Sequence, residues 1–145
     1  MKFRKLFIRL ALLGYLTVLI TASLWPTPVD GGGVVWFVTS KILQFARGVD
    51  WLNWLQYNQL EALANVVLYI PLGIFLVALL PRLRFIPLCL IPVVFSIIVE
   101  ASQRFLLPER YSTLNDVLTN ALGGLIGVII AVGIRRLSRW RASGR

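Results

Sequence analysis

Four apolar stretches close to bilayer length dominate this chain: about Leu10 to Leu24, Ala62 to Leu80, Phe85 to Leu107, and Leu114 to Ile134. A hydrocarbon core of ~30 Å takes about 20 helical residues to cross, and only structures that satisfy their own backbone groups can cross it. The expected fold class is therefore all-α, a polytopic membrane helix bundle of four transmembrane helices plus an outer interfacial amphipathic segment. A hydrophobic fraction of 58% against 14% charged residues in 145 agrees, being wrong for a water-soluble domain. One domain over residues 1–145 is expected, with its motif-bearing core over 62–134. The first stretch also has a signal-peptide look, with Lys2, Arg4 and Lys5 leading and Thr21 and Ser23 at its end, but it is long for a cleaved segment. Pro71, Pro87 and Pro92 fall within the spans, where kinks are expected.

Lysine plus arginine outnumber aspartate plus glutamate 15 to 6, a formal charge of +9. The placement of this excess points to a membrane and away from a nucleic acid. Lys2, Arg4, Lys5 and Arg9 precede the first span, Arg82 and Arg84 occupy the turn between the second and third, and Arg135, Arg136, Arg139, Arg141 and Arg145 follow the fourth. Asp30, Asp50, Glu61, Glu100, Glu109 and Asp116 lie on the opposite side or in the half of a span nearest to it. Cytoplasmic loops carry the basic excess, so a multi-pass membrane protein with both termini cytoplasmic is expected. The terminal arginines read as topology signals and contacts to anionic lipid.

With no histidine in the chain, histidine general acid/base chemistry, a Ser-His-Asp triad and the usual zinc sites are excluded. Cys89 is the single cysteine, lies in an apolar run and can form no intrachain disulfide. Gly31-Gly32-Gly33 follows no strand and reads as a flexible joint. No metal or cofactor is expected. Between the first two spans, Trp25, Trp36, Trp51, Trp54 and Tyr57 suit the headgroup level. One or two short amphipathic helices are predicted there, Val34 to Arg47 and Val49 to Gln59, lying along the outer interface.

Polar residues inside the spans carry the functional reading, because each costs free energy unless paired or hydrated. Glu100, Gln103 and Arg104 share one face of the third span at i, i+3 and i+4. Asp116, Asn120, Gly123 and Gly127 share one face of the fourth, and Asn65, Tyr69 and Gly73 one face of the second. Given the orientation, Asn65, Glu100 and Asn120 each fall roughly 5 to 10 Å below the outer boundary. An outward-facing polar pocket is predicted there, completed by Arg110 and Tyr111 of the loop before the fourth span. The plainer reading is interhelical glue, with Arg104 as a local partner for Glu100 and with Asn115 and Asp116 capping the fourth span. Ser96, Ser102 and Thr119 read as ordinary helix hydroxyls.

Asn65 with Tyr69-Ile70-Pro71-Leu72-Gly73, Glu100-x-x-Gln103, Pro108-x-Arg110, and Asp116-x-x-x-Asn120-x-x-Gly123-x-x-x-Gly127 form an ordered set. The set resembles the VanZ-like family of small bacterial membrane proteins. That resemblance implies four or five membrane helices, no known cofactor and, from the founding member, a contribution to resistance against the lipid-tailed glycopeptide teicoplanin. It picks out Asn65, Glu100, Gln103, Arg110, Asp116 and Asn120 as ligand-binding candidates. Asn115 departs from it, since relatives are expected to be acidic there, and Arg104 lies outside it.

The leading functional expectation is a cell-envelope accessory protein. Its outer pocket would bind a lipid headgroup or lipid-linked cell-wall precursor, Arg110 on phosphate and the amides on hydroxyls, with Glu100 and Asp116 orienting them. The alternative is a membrane enzyme acting on a lipid-linked substrate, with Glu100 and Asp116 as catalytic acid and base. Proton-coupled transport is a third reading, and four spans would require a dimer to enclose a path. Membrane lipids are the expected partners, and nucleic acid is not.

Overall fold

The computed structural model describes residues 2–24, 33–52, 55–107 and 113–143. Among these there are five α-helices and no strand: α1 (Lys2–Ser23), α2 (Gly33–Arg47), α3 (Tyr57–Leu79), α4 (Phe85–Leu106) and α5 (Leu114–Ser143). Four of them, α1, α3, α4 and α5, are long and apolar enough to cross a membrane. Their cores coincide with the four stretches expected from the sequence. At 30 residues, α5 runs well past Ile134. Leu, Arg, Trp and Ala sustain a helix, cations near its C-terminus oppose the macrodipole favourably, and at 1.5 Å per residue its length of about 45 Å outruns the bilayer core.

The connection from α2 to α3 departs from the expected second amphipathic helix over Val49 to Gln59. The Gly48 and Val49 N–H groups turn back to the carbonyls of Phe45 and Ala46, closing α2. A single 3₁₀ turn follows at Asp50–Leu52. Tyr57 to Gln59 already belong to α3, which opens where the Gln59 side chain accepts from the Gln56 N–H at 3.2 Å. Glycine at position 48 ends the periodic segment that the apolar pattern alone would extend. Trp25, Asp30 and Trp54 lie outside the described residues.

Helix α5 is the hub: it packs most extensively on α3, then on α4, while α1 lies against α3 and touches α4. Small residues make the α3–α5 approach possible. A Cβ on Gly123 would strike the Val66 carbonyl oxygen, one on Gly127 the Ile70 oxygen, and one on Gly73 the Gly124 oxygen. In lipid, where apolar burial drives helices together little, such close approach supplies the dispersion energy that holds them. The glycine face of α5 is thus spent within the chain. Gly124 completes the hub by seating the Pro92 ring of α4.

Pro71 and Pro92 lie inside α3 and α4, each of which continues as helix past its proline. Pro87 is in the first turn of α4, where an N–H would have no intrahelical acceptor, so the kink expected there has no lost bond to cause it.

Two small apolar clusters fill the bundle. Val77, Leu88, Val128 and Val132 meet at one level, and Leu19, Tyr69 and Leu72 at the other. Leu19 is fully buried. Tyr15 Oη of α1 donates to the Leu68 carbonyl of α3 at 2.8 Å, and its ring lies 5.7 Å from that of Phe75. The first span thus packs against α3 through a hydrogen bond and a ring contact. The large apolar side chains point outward on every span, including Phe7 and Leu13, Val67 and Ile74, Ile97 and Phe105, and Leu118 and Ile129. A water-soluble monomer does not expose apolar surface all round; a bundle solvated by lipid does.

Most of the basic residues gather at one end. The Arg135 guanidinium donates to the Pro81 carbonyl at 3.2 Å, tying the end of α5 to the α3–α4 turn that holds Arg82 and Arg84. Lys5 and Arg9 lie at the start of α1, whose other end reaches the C-terminal end of α4. The polar candidates occupy that opposite end.

Candidate functional site

The site begins in the first turn of α5, where Thr113 and Asp116 satisfy each other's backbone. Thr113 donates to Asp116 Oδ2 through its N–H at 3.0 Å and its hydroxyl at 2.7 Å, and the Asp116 N–H donates back to Thr113 Oγ1 at 3.2 Å. This is a capping box, built on Thr113 and not on the Asn115–Asp116 pair expected from the sequence. It leaves Asp116 Oδ1 facing α3, where it accepts from Asn65 Nδ2 at 3.3 Å.

One turn further along α5, Asn120 Nδ2 donates to Glu100 Oε1 of α4 at 3.1 Å. Both residues are enclosed, Glu100 being 5% and Asn120 3% exposed. Arg104, expected beside Glu100, is exposed instead, on the rim of α4. Gln103, itself 5% exposed, turns the other way: its Nε2 donates at 2.8 Å to the carbonyl of Ser23, one of the final α1 carbonyls that lack an intrahelical donor. Ser96 Oγ, one turn below Glu100, donates to the Val117 carbonyl of α5 at 2.9 Å. Hydrogen bonds thus link α3 to α5, α5 to α4 and α4 to α1 at one end of the bundle.

Of the six candidates, Asn65 and Asp116 are paired, Glu100 and Asn120 are paired, and Gln103 engages α1. Arg110, with Tyr111, lies outside the described residues. An open cleft of about 440 Å³ lies between the end of α2 and the start of α3. The network has acceptor capacity to spare, since the buried Asn120 Oδ1 meets no donor. Among the described residues no group of three or more His, Cys, Asp or Glu could hold a metal ion.

Two members, Thr113 and Tyr15, went unassigned in the sequence, and Ser96, expected to be an ordinary helix hydroxyl, instead bonds across to α5. Thr113-x-x-Asp116 carries a readable capping signature. Tyr15 carries a weaker signal, a phenol in an apolar run that must find an acceptor. Ser96 carries none: Ser102 and Thr119 bond within their own helices, to Ile98 and Asp116, and only packing shows that Ser96 reaches across to α5.

Four apolar spans laced by polar pairs at the end away from most of the basic residues define a small multi-pass membrane protein. Residues 7–136 match the VanZ/LLP1 family, and the chain belongs to it. The match runs from within α1 into α5. Comparison with curated proteins and with solved structures returns no match in either case.

Proposed function

We propose that this is an envelope accessory protein of the bacterial cytoplasmic membrane, with both termini cytoplasmic. In this reading the polar end faces outward, engages the headgroup of a membrane lipid or lipid-linked cell-wall precursor, and contributes to teicoplanin resistance. The observation that carries it is the buried Glu100–Asn120 pair with its spare acceptor, Asn120 Oδ1. Carboxyl and amide oxygens held at the end of a membrane bundle favour a ligand rich in hydroxyl donors, as sugar and glycerol headgroups are. Arg110, in the loop between α4 and α5, supplies the cation for its phosphate.

Binding is favoured over the enzymatic alternative by the bonding of Asp116. Its Oδ2 is committed to the α5 cap and its Oδ1 to Asn65, so it is poorly placed to exchange protons with a substrate.

The test is teicoplanin susceptibility of a Gram-positive host expressing the wild type, Arg110→Ala, or Glu100→Gln with Asp116→Asn, at matched membrane levels. Protection by the wild type, at least fourfold in inhibitory concentration and lost in Arg110→Ala, is expected. Protection that survives in both variants would contradict headgroup recognition by these residues.

A further inference from the structure

We draw no further inference here: the strongest candidate, the surface patch of exposed arginines in the α3–α4 turn (Arg82, Arg84) and at the end of α5 (Arg136, Arg139), restates the lipid contact already read from the sequence, and nothing in the structure shows what covers it.

Discussion

Gly127→Val is expected to remove most of the folded protein from the membrane, at least tenfold by fluorescence-detected size-exclusion chromatography, whereas Gly14→Val should leave it within about twofold. The difference lies in what a side chain would meet. At Gly127 a Cβ collides with the Ile70 carbonyl oxygen and stands 3.1 Å from Gly73 Cα, whereas at Gly14 nothing lies within 4 Å. Backbone on one helix faces backbone on the other, so no rotamer change relieves the clash, and α3 and α5 must separate. Forcing extra atoms into a packed interior costs about 1–3 kcal/mol even where side chains can yield. Here the Gly123–Val66 and Gly73–Gly124 approaches would be lost with it. Normal accumulation of Gly127→Val would show that α3 and α5 do not meet as described.

Removing one member of the Glu100–Asn120 pair should destabilise the protein by about 1–3 kcal/mol, the cost of leaving a buried polar group unsatisfied. Replacing both by leucine should restore most of that loss, because apolar partners of similar size leave nothing to desolvate. Unfolding measured in bicelles for Glu100→Leu, Asn120→Leu and the double variant closes this cycle. Interhelical hydrogen bonds in lipid average only about 0.6 kcal/mol, so stability is a weak reason for a chain of this size to hold a carboxyl group there. The double variant should therefore be stable and lack protection against teicoplanin. A stable double variant that still protects would reduce the pair to glue. Additive losses would show that the two side chains do not interact.

How much of this was legible in the sequence depends on the kind of signal each element sends. Span length and composition report directly on the bilayer, so α4 was located almost to the residue, whereas α3 starts at Tyr57, five residues before the expected Ala62. Helical periodicity brought Asn65, Asp116 and Asn120 onto the right faces, and the i+4 spacing of Gly123 and Gly127 anticipated close approach. What periodicity cannot carry is the identity of a partner on another helix. Gln103 shares a face with Glu100 on paper, yet a rotation of less than half a turn aims it at Ser23 of α1. Nor does depth decide between lining a space and mutual pairing: Glu100 and Asn120 lie at one level and bond to each other. The second interfacial helix failed because aromatic composition places a segment at the interface without making it helical.

Recognition of an extracellular headgroup requires that the polar end of the bundle faces outward. After Cys89→Ala, a membrane-impermeant maleimide should label Gln44→Cys, an exposed position on α2, in intact cells. It should label Ser143→Cys, at the end of α5, only after permeabilisation. Labelling of Ser143→Cys in intact cells, with Gln44→Cys protected until the membrane is opened, would invert the topology and take the Glu100–Asn120 end away from any extracellular headgroup or antibiotic.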